Sequence, residues 1–323
     1  MSEHDAAARL EVLVLAGGIS HERDVSIRSG RRVAEALRDL GLGVHVHDVD
    51  ADLIATLTDT RPDVVWPILH GAPGEDGSVR DLLDILGVPY VGTGPAGCRV
   101  SWSKPIAKAT VAAAGLATPE SVALPQEMFR ELGAKAVLRA VVARLPLPLV
   151  VKPASGGSAL GVTMVTDEEQ LPHAMVTCFA YGDTALIERA ATGTELGVSV
   201  VDLGDGPQAL PPVEVVTVDG PYDYDARYNP GRSEYFVPAR LDDALIEAAS
   251  ETAVRAHVAL GLRHISRTDL VVDFAGTPWF LEVNTAPGMT ETSLFPLAAT
   301  ATDRPLGDLY ASIVRTARRS PGS

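Results

Sequence analysis

The stretch SRTDLVVDFAGTPWFLEVNTAPGMT, residues 266–290, predicts two antiparallel strands joined by a turn at residues 275–278. Side chains alternate between the two faces of a strand. We therefore expect one dry face, made by Leu270, Val272, Phe274, Trp279, Leu281 and Val283. The opposite face then carries the polar groups near the strand ends, namely Arg267, Asp269, Glu282 and Asn284.

This polar face brings two carboxylates and an amide oxygen together. Such hard oxygen ligands suit Mg²⁺, which takes one or two carboxylates and leaves its other positions to water and phosphate. The turn-forming residues 285–290 follow directly, where backbone N–H groups can meet an anion. Taken alone, the hairpin is explained equally by a metal-nucleotide site and by the solvated face of an ordinary antiparallel sheet.

Composition sets the class of protein. The chain has 323 residues, 46% of them hydrophobic and 21% charged, which is enough apolar material for two or three globular domains. The start of the chain is acidic and no apolar run is long enough to cross a bilayer, so we expect a cytoplasmic protein without a cleaved signal or membrane partner. A net charge of −15 argues against a nucleic-acid partner. Cys98 and Cys178 are expected to be reduced, buried thiols.

Apolar strands alternate with helical patterns at the start of the chain, with strands expected at residues 10–16, 44–49, 64–69 and 88–91. This alternation predicts a doubly wound parallel βαβ domain, whose ligands lie beyond the carboxyl ends of the strands. The loops at those ends carry Glu22, His70 and Glu75. Glu22 suits a substrate ammonium group or a helix N-terminus, and His70 and Glu75 suit a site or plain solvent exposure. The first loop lacks G-x-G-x-x-G, so a dehydrogenase is not expected.

A glycine-rich loop at residues 155–158 follows a predicted strand that ends at Lys152. Glycine lets backbone N–H groups approach phosphate oxygens, and a serine hydroxyl and a lysine add donors. The loop lacks the Walker pattern, so it predicts a different kind of phosphate cover, or else an ordinary hairpin with a lysine at its edge. Lysine is scarce in this arginine-rich chain, which has only Lys104, Lys108, Lys135 and Lys152.

The remaining pattern predicts a helix over residues 126–144, another over 243–260 and a closing amphipathic helix over 306–314. Between them lies the irregular segment PYDYDARYNPGRSEYF, residues 221–236. Long loops of this kind are often lids over active sites, although an exposed connection has the same composition.

Several motifs occur together and in a set order, namely HERDVSIRSG (21–30), HGAPGEDG (70–77), VVKPASGGSALG (150–161), YDYDARY (222–228), RTDL (267–270) and LEVNTAPGMTETSL (281–294). Together they resemble the ATP-grasp enzymes, and among these the short-form D-alanine–D-alanine ligases, along essentially the whole chain. The resemblance implies an α/β (α+β) protein with an N-terminal doubly wound parallel βαβ domain followed by a two-part ATP-grasp fold.

The same resemblance implies three domains. A Rossmann-like substrate domain would cover residues 1–93, a central ATP-grasp subdomain with the phosphate loop 94–187, and a C-terminal subdomain with the lid and metal site 188–323. The implied reaction is ATP-dependent ligation of two D-alanine molecules through a D-alanyl phosphate, releasing ADP and phosphate, for peptidoglycan precursor synthesis. A homodimer is implied as well.

Carried over by residue, the resemblance places two Mg²⁺ ions at Asp269, Glu282 and Asn284, with Mn²⁺ as a substitute and a monovalent cation as a further ion. ATP would be bound by Lys104, Lys152, Ser158, Glu188, Arg189 and Glu195. Glu22 would bind the first ammonium group and form a lid triad with Ser158 and Tyr228. Arg267 and the Gly288 N–H would stabilise oxyanion charge. The remaining substrate contacts would be His70, Glu75, Arg227, Ser293 and Leu294.

Three positions depart from the family pattern. Arg227 replaces a lysine, Ala159 a second serine and Ser103 an aspartate. None of them removes a metal ligand or a member of the triad, so we expect an active enzyme. Two alternatives to D-alanine ligation stay open. One is a ligase of the same fold with another second substrate, such as D-serine or a specialised-pathway amino acid. The other is an ATP-binding paralogue without turnover.

Overall fold

The structure is a computed structural model that describes residues 9–218 and 231–319. Its helices are α1 (Arg23–Asp39), α2 (Leu53–Thr60), α3 (Ser78–Ile85), α4 (Pro95–Trp102), α5 (Lys104–Ala113), α6 (Gln126–Leu132), α7 (Ala134–Arg144), α8 (Leu171–Phe179), α9 (Asp243–Ala259), α10 (Leu294–Thr300) and α11 (Leu306–Arg319). Its strands are β1 (Glu11–Leu15), β2 (Gly43–His47), β3 (Val64–Pro67), β4 (Ser121–Pro125), β5 (Leu149–Pro153), β6 (Thr163–Val165), β7 (Thr184–Arg189), β8 (Gly193–Asp202), β9 (Pro207–Ala209), β10 (Val213–Thr217), β11 (Ser233–Phe236), β12 (Ile265–Asp273) and β13 (Pro278–Asn284).

The first sheet is parallel, with strand order β2-β1-β3, as the alternating pattern predicts. The prediction of a full strand at residues 88–91 is wrong. This segment instead forms an isolated bridge between Val65 and Tyr90. Its hydrogen bonds to β3 are made by Pro89 O, which accepts from Val65 N, and by Val91 N, which donates to Val65 O. Proline has no N–H to donate, so this segment cannot build a longer ladder.

The second sheet is antiparallel, with strand order β4-β7-β5-β6. Apolar side chains of α7 and α8 share one buried core with β5 and β7. The single helix expected over residues 126–144 is instead two helices, α6 and α7. They are separated at Gly133, whose φ of 86° is the left-handed conformation that glycine adopts without strain.

The third sheet contains β11-β10-β8-β12-β13, with β9 on β8, and β12 pairs with β8 over its full length. The predicted hairpin β12–β13 is present, but its predicted dry face is partly wrong. Asp269 pairs with Glu282 and Leu270 pairs with Phe280, so Leu281 is an extra residue that forms a β-bulge. Phe280 rather than Leu281 therefore enters the core, and Phe274, at 91% exposure, lies outside it.

The last helix packs against the first sheet. Tyr310 and Ile313 of α11 join Val14 and Trp66 in one core cluster, and the rings of Trp66 and Tyr310 meet edge to face at 5.4 Å. The division at residues 93 and 187 stays a prediction, although α11 shows that the chain end contributes to the core of the chain start. Within residues 9–218 and 231–319, no helix combines the length and the apolar character needed to cross a membrane.

Candidate active site

The glycine-rich loop after β5 lies at the centre of the site. Gly156 and Gly157 line three adjoining cavities, one toward β13, one between the second and third sheets, and one toward the N-terminal loops. The next two residues, Ser158 and Ala159, have φ of 53° and 56°. Non-glycine residues rarely adopt this left-handed region, and such residues concentrate at functional sites.

The cavity between the two antiparallel sheets has a volume of about 200 Å³ and two unlike walls. Its charged wall contains Lys104, Lys152, Glu188, Glu195, Asp269 and Glu282, and its apolar wall contains Val150, Leu160, Val162, Met164, Val271 and Leu281. A ligand with an apolar ring at one end and anionic groups at the other matches both walls.

The two predicted phosphate lysines are both buried in the lining of this cavity. Lys104 begins α5, and its Nζ donates to Gly156 O at 2.5 Å and lies 3.3 Å from Glu282 Oε2. Lys152 Nζ lies 2.5 Å from Glu188 Oε1. Neither lysine is more than 7% exposed, so both cations depend on the surrounding carboxylates.

Three further residues predicted to bind ATP lie on β7 and β8, namely Glu188, Arg189 and Glu195. Glu188 is buried and lines the cavity, and Glu195 lines it from β8, opposite Val271. Arg189 is exposed at the end of β7 and its N donates to Glu120 O. The structure therefore brings the two glutamates into the cavity lining, whereas Arg189 is not among the described residues that line it.

The end of the β12–β13 hairpin carries the predicted metal ligands and Arg267. Arg267 holds Asp269 at two points, Nε to Oδ1 at 2.6 Å and Nη2 to Oδ2 at 2.8 Å. With its amide oriented to satisfy both neighbours, Asn284 accepts from Arg267 Nη2 at 2.6 Å and donates to Glu75 Oε2 at 3.1 Å. Three of the four predicted residues thus form one connected network, and Glu282 is the cross-strand partner of Asp269.

The donor set of this hairpin fits magnesium. Among the described residues, no group of three or more His, Cys, Asp and Glu side chains surrounds a potential metal position. Asp269 and Glu282 supply two carboxylates, which lie beside Arg267 and Lys104 respectively, and Asn284 adds an amide oxygen. Mg²⁺ commonly binds through one or two carboxylates, with water and substrate phosphate completing its shell.

Glu22 lies on the other side of the glycine-rich loop, immediately before α1. The Ser158 hydroxyl donates a hydrogen bond to Glu22 Oε1, across 136 residues of sequence. A Cβ at either Gly71 or Gly157 would lie 3.2 Å from Glu22 Oε2, so the loops after β3 and β5 both approach this carboxylate closely. Two members of the predicted triad are therefore in contact.

His70 and Glu75 lie buried beside Glu22, in the loop after β3. His70 Nδ1 lies 3.1 Å from Ala286 O, and Gly71 N donates to Glu75 Oε1 at 2.8 Å. Burial and the Glu22 carboxylate raise the pKa of Glu75 to about 7, while burial lowers the pKa of the His70 imidazole. Both groups are therefore biased toward their neutral forms.

Gly288, Ser293 and Leu294 lie together after β13. A Cβ at Gly288 would lie 2.7 Å from Ser293 Oγ, so only glycine allows this approach. Ser293 immediately precedes α10, and its Oγ accepts from Thr290 N at 3.0 Å. Leu294 begins α10 with its side chain buried in a small core.

The remaining predictions divide by region. Tyr228 and Arg227 lie outside the described residues, as does most of the predicted lid. Ser103 separates α4 from α5 directly before Lys104, and Ala159 lines the cavity between the sheets.

Sequence reasoning missed the apolar wall. Side chains alternate between the two faces of β5, so Val150 shares a face with Lys152. The sequence alone could have indicated this position. Leu281 had no such signal, because its orientation depends on the bulge. The sequence distinguishes Lys108 only by the scarcity of lysine, yet the structure buries it against Glu188.

Two antiparallel sheets that close on a charged cavity beneath a glycine-rich loop are the architecture of the ATP-grasp ligases. The profile described as "D-ala D-ala ligase C-terminus" matches residues 110–315, and the profile described as "D-ala D-ala ligase N-terminus" matches residues 48–93. The chain belongs to the D-alanine–D-alanine ligase family.

Individual proteins agree with this assignment. A D-alanine–D-alanine ligase of Desulforudis audaxviator is 41% identical over 94% of this chain and 97% of its own length. The crystal structure of a Bacillus anthracis D-alanine–D-alanine ligase complexed with ATP has a TM-score of 0.81 at 29% identity, covering 97% of this chain and 99% of that one. A D-Ala:D-Ser ligase of Enterococcus faecalis has a TM-score of 0.80 at 24% identity, covering 96% and 99%, a likeness of fold alone.

Proposed function

We propose that the protein joins two D-alanine molecules into D-alanyl-D-alanine at the expense of ATP, for peptidoglycan precursor synthesis. The observation that carries the proposal is the position of the glycine-rich loop, which contacts Glu22 through Ser158 and Lys104 through Gly156. One loop thereby joins a carboxylate suited to an ammonium group with a lysine suited to phosphate. The family of the chain and its near full-length similarity to D-alanine–D-alanine ligases support this reading.

In the first step, a carboxylate oxygen of one D-alanine attacks the γ-phosphorus of ATP, giving D-alanyl phosphate and ADP. Lys104 and Lys152 would bind the phosphates, Glu22 would bind the D-alanine ammonium group, and Glu188, Arg189 and Glu195 would hold the rest of the nucleotide. Both reactants are anions that repel each other, which is why the site needs buried cations at the point of transfer.

In the second step, the free amine of another D-alanine attacks the acyl carbon, loses a proton, and expels phosphate. Arg267 and the Gly288 N–H would stabilise the oxyanion of the tetrahedral intermediate, and Ser293 with the Leu294 N–H would bind the second carboxylate. His70 and Glu75 would support this region in their neutral forms. A closed lid would keep water from the acyl phosphate, a role that falls on Tyr228 and Arg227 outside the described residues.

Asp269, Glu282 and Asn284 would hold two Mg²⁺ ions, for which Mn²⁺ can substitute. Bound there, the ions supply positive charge that offsets repulsion between the phosphates and the attacking carboxylate. We also propose that the enzyme is a cytoplasmic homodimer, because ATP is available there and the family resemblance implies a dimer. Light scattering of the purified protein tests the dimer.

The deciding experiment is ADP release by the purified protein with ATP and Mg²⁺, with and without D-alanine, alongside L-alanine and D-serine. We expect release that depends on D-alanine and a product with the mass of D-alanyl-D-alanine. A mixed product with D-serine would instead assign the protein to the second-substrate alternative. ATP binding without release by any amino acid would show a paralogue without turnover, and Arg227→Lys would be the first reversion to make.

A further inference from the structure

Lys108 is a buried lysine for which the proposed function has no role. It lies one helical turn after Lys104 on α5 and is 3% exposed. Its Nζ donates to Glu188 Oε2 at 2.7 Å and to Thr118 Oγ1 at 2.7 Å. A buried ammonium group is costly unless it is paired, so its retention in an arginine-rich chain calls for a physical reason.

The two oxygens of Glu188 are divided between two lysines. Lys152 is beside Oε1 and Lys108 is beside Oε2. Lys152 and Glu188 line the cavity between the sheets, whereas Lys108 is not among the described residues that line it. Lys108 therefore contacts the carboxylate without reaching the cavity itself.

This arrangement keeps the carboxylate ionised. Burial alone would raise the pKa of Glu188, but Lys152 and Lys108 outweigh that effect and hold the pKa below its usual value. Burial lowers the pKa of Lys108, and the Glu188 carboxylate opposes this. A buried carboxylate with two ammonium partners can lose one of them and still be paired.

Lys108 also connects the two sheets that enclose the cavity. Thr118 Oγ1, which accepts from Lys108, donates to Phe280 O at 2.8 Å, and Phe280 N donates to Ala117 O at 2.8 Å. Phe280 is two residues before Glu282 on β13. A continuous chain of hydrogen bonds therefore runs from Glu188 on β7 through Lys108 to the strand that carries the proposed metal ligands.

We propose that Lys108 is a positioning residue for nucleotide binding, which keeps Glu188 paired and fixed when Lys152 turns from Glu188 to a phosphate. This inference rests on the proposed function, because it takes the cavity between the sheets as the nucleotide site. Without Lys108, a phosphate that drew Lys152 away would leave Glu188 buried and unpaired. The free energy of nucleotide binding would then be less favourable, because binding would leave that buried carboxylate unpaired.

The test is calorimetric titration of ADP with Mg²⁺ into the parent, Lys108→Met and the control Lys135→Met. Lys135 is exposed on α7, so its variant makes the same change of residue and charge away from the site. We expect the Kd for ADP to rise about tenfold or more in Lys108→Met and to stay within about twofold in Lys135→Met. In turnover, the KM for ATP should rise while the KM for D-alanine does not.

A double-mutant cycle separates action through Glu188 from direct contact with the nucleotide. In a Glu188→Gln background no buried carboxylate needs a partner, so adding Lys108→Met should change the Kd for ADP by less than about threefold. The comparison of Glu188→Gln with the double variant also tests the inference if Lys108→Met alone fails to fold. If Glu188→Gln binds too weakly to measure, Thr118→Val replaces it. That variant removes the hydroxyl that orients Lys108, and Thr118→Ser should restore the parental Kd.

Three results would overturn the inference. The first is that Lys108→Met binds ADP with the parental Kd. The second is that Lys108→Met raises the Kd for ADP by the same factor with and without Glu188→Gln. The third is that Thr118→Val binds ADP with the parental Kd. A parent protein that binds no ADP at all would instead contradict the proposed function. The two failures are therefore distinguishable.

Discussion

Arg267 and Asp269 form a two-point ion pair in which both side chains are largely buried. The same guanidinium donates to Asn284, so a single arginine orients two of the three proposed metal ligands. A planar guanidinium fork matches a carboxylate at two points, whereas a lysine ammonium is a point charge. The role of Arg267 therefore depends on the geometry of its guanidinium group as well as on its charge.

Arg267→Lys tests this distinction. We expect kcat to fall by about 10²–10³, because the charge remains but the placement of donors is lost. Arg240→Lys is the matched control, since Arg240 also binds a carboxylate at two points, Nε to Glu214 Oε2 at 3.0 Å and Nη2 to Glu214 Oε1 at 2.7 Å. Steady-state kinetics of both variants should show the loss only for Arg267→Lys, and a parental kcat in that variant would contradict the role of the fork.

At the scale of the element, strand β13 gives adjacent residues opposite environments. The bulge turns Leu281 toward the cavity, in the same direction as Glu282, while Phe280 is fully buried in the core behind β12. A bulge places two residues opposite one, so the usual alternation of faces is interrupted there. We therefore expect Phe280 to affect the stability of the protein and Leu281 to affect ATP binding.

Phe280→Ala should lower the free energy of unfolding by about 3–5 kcal/mol, because it leaves a cavity in a packed core. Leu281→Ala should change that free energy by less than about 1 kcal/mol but raise the KM for ATP several-fold. Urea unfolding and steady-state kinetics measure the two effects. Phe274→Ala is the control, because that ring is 91% exposed and should change neither quantity.

Helix α9 and strand β12 meet at a buried histidine. His257 Nδ1 lies 2.8 Å from Ser266 Oγ, and burial lowers the pKa of His257 to about 4. An unfolded histidine titrates near pH 6.5, so between about pH 6.5 and 4 the unfolded chain binds more protons than the folded protein. The contribution of His257 to the free energy of unfolding is therefore fully present above pH 6.5 and decreases as the pH falls toward 4.

His257→Asn removes this titration while keeping a polar group near Ser266. We expect the parent to lose about 1–2 kcal/mol more unfolding free energy than the variant between pH 7 and pH 5. Urea unfolding at both pH values measures the difference, and titrating groups that do not interact with His257 cancel between the two proteins. Equal losses in parent and variant would mean that His257 binds its proton as readily folded as unfolded.

At the scale of the whole molecule, the two ends of the chain share one core. Helix α11 packs its apolar side against the parallel sheet, and the Tyr310 hydroxyl lies 3.4 Å from the sulfur of Met289, in the segment that follows the β12–β13 hairpin. The first sheet, the last helix and one edge of the site are therefore packed as a unit.

Tyr310→Ala should cost about 3–5 kcal/mol of unfolding free energy and reduce activity by destabilising the N-terminal sheet. Tyr310→Phe keeps the ring against Trp66 and loses only the contact with sulfur, so it should cost less than about 1 kcal/mol. Thermal unfolding monitored by circular dichroism distinguishes them. If Tyr310→Ala were as stable as the parent, α11 would not contribute to the first core.

The sequence by itself determined the N-terminal parallel domain, the hairpin and the residue types of the site, because strand alternation, glycine loops and charged strand ends are local patterns. The two-part ATP-grasp fold followed from the resemblance of its motifs to a known family. Gly156, Lys152, Asp269 and Glu282 could all be selected in this way. Only the tertiary structure decided that Leu281 faces the cavity and that Lys108 pairs with Glu188. It also decided that α11 completes the first core. Each of these depends on a partner distant in sequence, and local periodicity carries no information about which distant groups will meet.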